Sequence, residues 1–355
     1  MEQKHELKCV IAAGGTVGHV APSLAVAEAL RRRGVAVTFA GSPDRVEAQL
    51  VPEAGFPFDP FRVEGIPRAV GPGLVRALSR AVAAQLAAVR ILRHRRPDVV
   101  LGGGGYVAGP VVLAAGLLRI PAALMEADAH LGLANRLAAP AARRVFLAYR
   151  LDGRNGAKYS VVGRPIPSSS RAGDPEAARR RLLRELPGPV VLVFGGSQGA
   201  KRLNELAYDA FACQGPTVLH VCGRRDYPQL ERRRRRVGYV LVPYVDDFGD
   251  ALAAADLVVA RSGGSVWEVA AAGKAAILVP FPHATADHQA KNARYFVEAG
   301  GAVLVREGEL DLRREVEELL GHPERLAAMG EAMRRAARPE AAEEIAQELI
   351  ELAST

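Results

Sequence analysis

Two glycine-rich segments of the chain each follow a short apolar run and precede a longer helix-like stretch. Residues 14–19 read GGTVGH and residues 195–200 read GGSQGA. Glycine lets main-chain N–H groups approach an oxyanion closely, and the N-terminus of a following helix adds positive potential. Each segment is therefore a candidate anion-binding turn, while a tight strand-to-helix turn also uses glycine for steric reasons alone. Neither has the G-x-G-x-x-G spacing, which argues against a nicotinamide site.

His19 closes the first glycine turn, at the predicted start of the first helix. The helix dipole disfavours a protonated imidazole there and keeps the ring available as a neutral base near neutral pH. A base at this position could deprotonate an attacking hydroxyl. The alternative is a histidine that only caps its own turn.

A third segment of this kind, residues 261–268, reads RSGGSVWE. Glu268 lies in the first turn of the predicted helix, where a carboxylate can accept hydrogen bonds from a 2′- and 3′-hydroxyl pair of a sugar. A lone acid here is also a common helix-start charge. The segment is thus a candidate for binding a ribose.

Polar residues are concentrated after another apolar run, from residues 280–283 through Asp287, His288 and Gln289 to Asn292. Parallel sheets bind ligands at the carboxyl ends of their strands, so this segment is a further candidate site. The histidines and the aspartate do not have the spacing of a known metal-ligand set. We therefore predict neither a metal nor a cofactor.

These residues would be positioned by two series of alternating strands and helices, the pattern of parallel sheets wrapped by helices. The predicted strands are 8–13, 35–40, 98–101, 122–125, 144–147, 190–194, 217–222, 239–242, 257–260, 276–280 and 302–305, and the main predicted helices are 21–33, 44–53, 74–93, 201–212, 265–272 and 339–353. Proline, serine and glycine at 162–174 interrupt the alternation and predict an interdomain linker.

The composition limits the class of protein. At 355 residues the chain suits two domains, and 49% apolar with 24% charged residues is typical of a globular protein. Residues 1–7 carry no long apolar run, so we expect no secretory signal. The longest apolar stretch, 107–118, is shorter than the roughly 20 residues of a spanning helix. Scattered Cys9, Cys213 and Cys222 indicate a reducing compartment and no structural zinc.

The net charge of +8 predicts attraction to an anionic partner. The densest basic run, residues 232–236, has no interleaved aromatic residues for base stacking, so we read it as a solvated face and expect no nucleic-acid partner. Between Arg68 and Leu86, apolar residues recur at helical spacing beside arginines, a pattern of helices that lie on an anionic membrane surface or of ordinary core-facing helices. The apolar positions are Val70, Leu74, Val75, Leu78 and Val82, and the basic ones are Arg68, Arg76 and Arg80.

Together with GYVAGP at 105–110, these motifs closely resemble one family, the family 28 glycosyltransferases of the MurG type. These enzymes move N-acetylglucosamine from UDP-N-acetylglucosamine to undecaprenyl-diphosphate-muramoyl-pentapeptide (lipid I) in peptidoglycan synthesis. The resemblance implies an α/β GT-B fold, with two Rossmann-like domains whose parallel sheets face each other across a cleft. It implies an acceptor- and membrane-side domain at 1–162, a UDP-sugar domain at 163–338, and a helix at 339–355 that packs back toward the first domain.

On the acceptor side, the resemblance implies that His19 is the base for the C4 hydroxyl of the muramoyl unit and that Glu126 is also catalytic. Substrate contacts in the same domain are implied for Thr16, Val17, Gly18 and Asp128. The transfer would invert the anomeric centre, without a metal. Because the acceptor lipid stays in the bilayer, the resemblance also implies peripheral attachment to the cytoplasmic face of an anionic cell membrane.

On the donor side, the resemblance implies that Ser197 and Arg164 hold the diphosphate of UDP-N-acetylglucosamine and that the main chain of Val245 binds uracil. Glu268 would bind the ribose, and Gln289 with His288 the N-acetylglucosamine hydroxyls. Further donor contacts are implied for Gln198, Arg261, Gly263, Gly264 and Ser265.

Three positions depart from the family pattern. Val17 stands where a glycine is usual, and Asp128 stands where the H-E-Q-N run has asparagine. Arg164 precedes Pro165, whereas the family's arginine follows a G-N-P-V run. Three alternatives stay open: another GT-B transferase with a different acceptor, a sugar-nucleotide 2-epimerase, and a nucleotide-sugar-binding protein without turnover.

Overall fold

Short runs of valine, leucine and alanine form two separate parallel sheets in the computed structural model, which describes residues 6–63, 74–184, 186–196 and 200–355. The chain divides into two compact units. Unit 1 comprises Met1–Pro167 together with Pro339–Thr355, and unit 2 comprises Ser168–Arg338. Unit 1 extends beyond residue 162, and Arg164 donates hydrogen bonds to its main chain.

The first 167 residues contain strands and helices in alternation. They are β1 (Lys8–Ala13), α1 (Val17–Arg32), β2 (Ala36–Gly41), α2 (Glu47–Glu53), β3 (Phe58–Pro60), α3 (Leu74–Arg95), β4 (Val99–Gly104), α4 (Ala108–Leu117), β5 (Ala122–Glu126), α5 (Leu133–Ala138), β6 (Arg144–Leu147) and β7 (Tyr159–Val161).

Unit 2 continues the alternation, and the last helix returns to unit 1. The elements are α6 (Pro175–Leu183), β8 (Val190–Phe194), α7 (Lys201–Phe211), β9 (Thr217–Val221), α8 (Tyr227–Glu231), β10 (Tyr239–Val242), α9 (Phe248–Ala254), β11 (Leu257–Ala260), α10 (Val266–Ala271), β12 (Ala275–Leu278), α11 (His288–Glu298), β13 (Ala302–Leu304), α12 (Leu312–Leu320), α13 (Pro323–Ala336) and α14 (Ala341–Ala353). Short 3₁₀ turns lie at Ala139–Ala141, Ser168–Ser170, Thr285–Asp287 and Glu307–Glu309.

The strand order reverses once in each sheet. Unit 1 has the order β3-β2-β1-β4-β5-β6-β7, and unit 2 has the order β10-β9-β8-β11-β12-β13, with parallel pairing throughout. The reversals lie between β1 and β4 and between β8 and β11. Because ligands of open parallel sheets bind outside the carboxyl ends of the strands at such a reversal, each unit has one expected binding edge.

Both faces of the unit 1 sheet are buried. Cys9 and Ile11 of β1 join the apolar cluster on one face, and Val10 and Ala12 join the cluster on the other. This alternation follows from the two-residue repeat of a strand. A strand that is buried on both faces reads as a continuous apolar run, which is why the strands were visible in the sequence.

Helix α14 packs on α1 and β4 of unit 1. Ile345 and Leu349 on its apolar side are fully buried. Its carboxylate Glu343 pairs with Arg32 at 2.5 Å and with Arg33 at the C-terminal end of α1, where cations are also favoured by the helix dipole. Of the helices in the described ranges, none is both long and apolar enough to cross a membrane.

We expect Ile345→Ala to lower the free energy of unfolding by about 2–5 kcal/mol, because it leaves a cavity between α14 and the unit 1 sheet. Denaturant unfolding followed by circular dichroism measures the effect. Gln347→Ala, on the exposed side of the same helix, is the matched control and should change stability little. Equal stability of both variants would contradict the packing described here.

Candidate active site

The turn between β1 and α1 is built around a buried carboxylate. The main-chain N–H of Gly15 donates to Oε2 of Glu47 at 2.9 Å, and Glu47 is fully buried. Gly15 has φ +90°, which favours glycine, and a Cβ on Gly14 would lie 2.1 Å from Oε1 of Glu47. The glycines of this turn are therefore needed for conformation and for space beside Glu47.

Helix α1 begins at Val17, earlier than the predicted start at residue 21, so His19 lies within its first turn. Nδ1 of His19 lies 3.2 Å from Oγ1 of Thr16, the residue before the helix. The ring also packs against the end of β4, where a Cβ on Gly104 would lie 2.7 Å from its Cδ2. Glycine at the end of β4 makes room for the imidazole.

The surroundings of His19 favour the neutral ring. Burial lowers the pKa of His19 below its ordinary value of 6.5, and the charge of Arg164 lowers it further. Asp128, the Gly14 main chain and Glu47 act in the opposite direction and raise the pKa. The net shift is downward, so the ring is neutral near neutral pH and able to accept a proton.

Glu126 ends β5 with its carboxylate turned into the loop that follows. Oε1 accepts from the N–H of Asp128 at 3.3 Å, and Oε2 accepts from the N–H of Gly132 at 2.9 Å. Nδ2 of Asn135 donates to Oε2 at 3.0 Å. Burial raises the pKa of Glu126, and these donors counteract the rise. In this geometry Glu126 shapes the loop that carries Asp128.

Arg164 connects the two loops of unit 1 that carry predicted site residues. Its side chain is buried, with Nη2 donating to the carbonyl of Gly18 at 2.6 Å and Nη1 donating to that of Ala127 at 3.2 Å. Thr16, Val17, Gly18, His19, Asp128 and Arg164 thus lie together at the reversal between β1 and β4.

In unit 2, Arg261 follows β11 and is buried. Nη1 donates to the carbonyls of Val279 at 3.3 Å and Pro280 at 3.1 Å, and Nη2 pairs with Glu307. Arg261 therefore joins the segments that follow β11, β12 and β13. Its neighbours Gly263, Gly264 and Ser265 are partly exposed at the N-terminus of α10.

Glu268 lies in the first turn of α10 and is partly exposed, as the predicted ribose contact must be. The next residue back, Trp267, is fully buried and stacks on Tyr295 with ring centroids 5.4 Å apart. The aromatic pair fixes this short helix against α11. Glu268 and residues 263–265 are thereby presented at the reversal between β8 and β11.

The segment after β12 is conformationally strained. Ala286 and Asp287 both have left-handed backbones, with φ 54° and 52°, which costs about 1–2 kcal/mol for each residue without glycine's freedom. The strain places His288 and Gln289 at the start of α11, both partly exposed. Oε1 of Gln289 accepts from the N–H of Phe281 at 2.9 Å, which leaves its amide N–H₂ for other partners.

Three predicted donor contacts remain, and they are Val245, Ser197 and Gln198. Val245 lies in the loop between β10 and α9, partly exposed, one residue after half-exposed Tyr244. Ser197 and Gln198 lie outside the described residues. The described part of the chain contains no group of three or more His, Cys, Asp or Glu side chains that could hold a metal ion.

Sequence reasoning missed three residues that hold these loops in place: Glu47, Asn135 and Glu307. Glu47 and Glu307 act on partners distant in sequence, with separations of 32 residues for Glu47 and Gly15 and 46 for Glu307 and Arg261. Asn135 reaches Glu126 from nine residues away. No local spacing motif could have identified them. Acidic residues next to turns read as ordinary surface charges until the sheet order is known.

Comparison with known proteins supports the resemblance to family 28 glycosyltransferases that the motifs indicate. Family models match residues 9–147 as the glycosyltransferase family 28 N-terminal domain and residues 190–346 as the family 28 C-terminal domain. The chain is 43% identical to the "UDP-N-acetylglucosamine--N-acetylmuramyl-(pentapeptide) pyrophosphoryl-undecaprenol N-acetylglucosamine transferase" of Acidithiobacillus ferrooxidans, over 97% of each chain. It is also 43% identical to the Halorhodospira halophila protein of the same name, over 95% of this chain and 96% of that one.

Solved structures agree on the fold. The crystal structure of Acinetobacter baumannii MurG superposes with a TM-score of 0.76 at 28% identity, covering 97% of this chain and 99% of that one. A Neisseria meningitidis UDP-GlcNAc 2-epimerase, bound to UDP-GlcNAc, has a TM-score of 0.66 at 13% identity, over 98% of this chain and 100% of that one. At that identity the likeness extends to the fold alone.

The two parallel-sheet units and these neighbours define a GT-B glycosyltransferase, which confirms the predicted fold class. The chain belongs to glycosyltransferase family 28, in the group that includes the N-acetylglucosamine transferases named above. The family resemblance seen in the motifs is thereby confirmed.

We expect Glu307→Ala to lower the free energy of unfolding by about 3–5 kcal/mol, because it leaves the buried Arg261 guanidinium without its carboxylate. Glu309→Ala, on an exposed neighbour in the same 3₁₀ turn, is the matched control. Both variants are compared by denaturant unfolding. A loss no larger than that of the control would show that the ion pair does not hold these loops.

Proposed function

We propose that this chain transfers N-acetylglucosamine from UDP-N-acetylglucosamine to the C4 hydroxyl of the muramoyl unit of undecaprenyl-diphosphate-muramoyl-pentapeptide. The product would be the disaccharide-pentapeptide lipid used in cell-wall synthesis. The identity with transferases of that name supports the donor and the acceptor. The observation that carries the chemistry is His19, held with a lowered pKa at the strand reversal of unit 1.

In the proposed step, a ring nitrogen of His19 takes the proton of the C4 hydroxyl as the hydroxyl oxygen attacks the anomeric carbon. The bond between that carbon and the β-phosphate oxygen breaks, and UDP leaves with the electron pair. Attack opposite to the leaving group inverts the anomeric centre. Thr16, Val17, Gly18 and Asp128 would contact the acceptor around this base, and Glu126 would act through the loop that it shapes.

For the donor, we assign the ribose to Glu268, the uracil to the main chain of Val245, and the sugar hydroxyls to His288 and Gln289. Their partial exposure at the carboxyl edge of the unit 2 sheet supports this assignment. Ser197, Gln198 and residues 263–265 would offer hydrogen bonds to the diphosphate, and the N-terminus of α10 adds positive potential.

Two arginines are assigned to the donor as well. Arg164 uses two of its five N–H groups on carbonyls, so others remain for a phosphate. Arg261 is engaged by Glu307 and two carbonyls, so we assign it mainly to holding the loops around the donor. We assign no metal and no cofactor to the reaction, because helix N-termini and arginine can offset the charge of departing UDP.

The acceptor places the enzyme at the cytoplasmic face of an anionic membrane, where a polyprenyl lipid resides. Apolar side chains exposed on adjacent helices α3 and α4 support this proposal. They are Val82 (59% exposed), Leu86 (54%), Leu113 (39%) and Leu117 (72%). A groove of about 470 Å³ lies beside Leu113 and Leu117. Arg80 and Arg119 flank this surface in the sequence and are exposed.

Part of the predicted membrane helix cannot be compared with the structure. Arg68 and Val70 lie outside the described residues, and so do the side chains of residues 74–78. The other basic run, residues 232–236, is largely engaged within unit 2: Arg233 pairs with Asp209 at 3.2 Å, and Arg236 donates to the carbonyl of Phe211 at 3.2 Å. We therefore propose a lipid surface, and no nucleic acid, as the anionic partner.

Transfer is tested with UDP-N-acetylglucosamine and the muramoyl-pentapeptide diphosphate lipid. We expect UDP release only with that acceptor, and we expect His19→Ala to slow it by about 10²–10⁴-fold, the usual contribution of a general base. Donor affinity should not change. His94→Ala, on an exposed histidine of unit 1, is the control.

The pH profile gives a second readout of the same variant. Only the neutral imidazole can accept the proton, so activity falls as the pH drops through the pKa of His19. Since that pKa is lowered, the acid limb of kcat/KM should lie below pH 6.5. Acceptor-independent UDP release, or an unaffected His19→Ala variant, would exclude this mechanism.

Membrane attachment is tested with vesicles that contain anionic phospholipid. Reversing Arg76 and Arg80 to glutamate should weaken binding at least about tenfold, because each basic residue near such a surface contributes about 1 kcal/mol. Leu117→Ser should weaken it as well, and donor affinity should stay constant. The control variant changes exposed Arg232 and Arg234 of unit 2 to glutamate, which makes the same change in charge away from the proposed membrane surface. Equal binding of the two double variants would contradict the proposed surface.

A further inference from the structure

Glu47 is a buried carboxylate to which nothing above assigns a part in the reaction. It is the first residue of α2, and its side chain is fully buried. Its hydrogen-bond partners within the described residues are two main-chain donors: Gly15 N–H to Oε2 at 2.9 Å and Ser42 N–H to Oε1 at 3.0 Å. Burying a carboxylate costs free energy, so the presence of one here indicates that the main-chain N–H groups of Gly15 and Ser42 need a buried acceptor.

The carboxylate occupies the space under the glycine turn. A Cβ on Gly14 would lie 2.1 Å from its Oε1, and a Cβ on Gly41 would lie 2.8 Å from its Cγ. Glu47 therefore fills the gap between the carboxyl ends of β1 and β2. Its bond to Gly15 holds the turn from which Thr16 and His19 project.

Charges from three elements face the His19 imidazole. Glu47 comes from α2, Asp128 follows β5 and Arg164 follows β7. The two carboxylates favour the imidazolium, while Arg164 and burial disfavour it. Glu47 thus acts on His19 in two ways, through the shape of the turn and through its negative charge.

We infer that Glu47 is a positioning residue of the transfer reaction: it anchors the glycine turn under His19 and sets its carboxylate charge toward the imidazole. This inference rests on the proposed function of His19 as the base. The carboxylate itself touches no substrate because it is fully buried.

The main test is Glu47→Gln, which keeps the size of the side chain but removes its charge and sets an amide N–H₂ against one main-chain N–H. We expect kcat to fall by about 10²-fold, the effect of a small displacement at a catalytic group. KM for UDP-N-acetylglucosamine should stay constant. The acid limb of kcat/KM should move to lower pH, because loss of a nearby negative charge lowers the pKa of His19.

Glu53→Gln is the matched control, since it makes the same change on an exposed residue of α2. Glu47→Asp keeps the charge but shortens the reach to Gly15 and Ser42. It should slow transfer while leaving the acid limb closer to the native position than Glu47→Gln does. If Glu47→Gln fails to fold, Glu47→Asp decides: native kcat in that variant would overturn the inference.

Histidine NMR titration of the full-length chain separates this inference from the proposed function. The His19 signal is assigned from its loss in His19→Gln, and its pKa is measured without any substrate. A lower pKa in Glu47→Gln supports the electrostatic part even if no sugar transfer is found. An unchanged His19 titration, or a loss of thermal stability with native kcat and pH profile, would overturn the inference.

Discussion

Polar main-chain groups at the carboxyl ends of buried parallel strands must find partners, and this requirement shapes both binding edges. In regular elements the sheet and the helices provide those partners, but the connecting turns do not. The chain supplies buried ionic side chains instead. Glu47 and Glu126 accept from turn N–H groups in unit 1, and Arg261 donates to turn carbonyls in unit 2. The turns are therefore held in shape by the side chains beneath them.

Much of the fold could be predicted because strands buried on both faces read as continuous apolar runs. Strands β1, β6, β8, β10 and β11 have the predicted bounds. Strand β4 continues to Gly104, beyond the predicted end at residue 101. The prediction missed these last residues because glycine has a low strand propensity. Helix α4 lies in a uniformly apolar stretch without helical periodicity, and β3 and β7 are three-residue strands with too little pattern to recognise.

The positions of the candidate site residues could be predicted only where these residues form local motifs. His19, Glu268 and Gln289 each lie in the segment that follows a strand, so their place at a carboxyl edge follows from the strand assignment. The residues that support them are assembled by the topology. Asn135 approaches Glu126 because α5 returns over the end of β5, and Glu307 approaches Arg261 because β11 and β13 both flank β12. These pairings depend on the three-dimensional order of strands, which spacing along the chain does not encode.

The presence of Asp128 in place of the family's usual asparagine has an electrostatic consequence at His19. Burial and Arg164 lower the pKa of His19. With a neutral amide in place of Asp128, this lowering would be opposed mainly by the Gly14 main chain and Glu47. A carboxylate adds the largest of the charge effects that raise the pKa of His19. A higher pKa makes the imidazole a stronger proton acceptor but leaves less of it neutral at a given pH. Burial lowers the pKa of His19 more than these groups raise it, so the ring stays neutral near physiological pH, while the nearby carboxylates would stabilise an imidazolium formed in the proposed proton transfer.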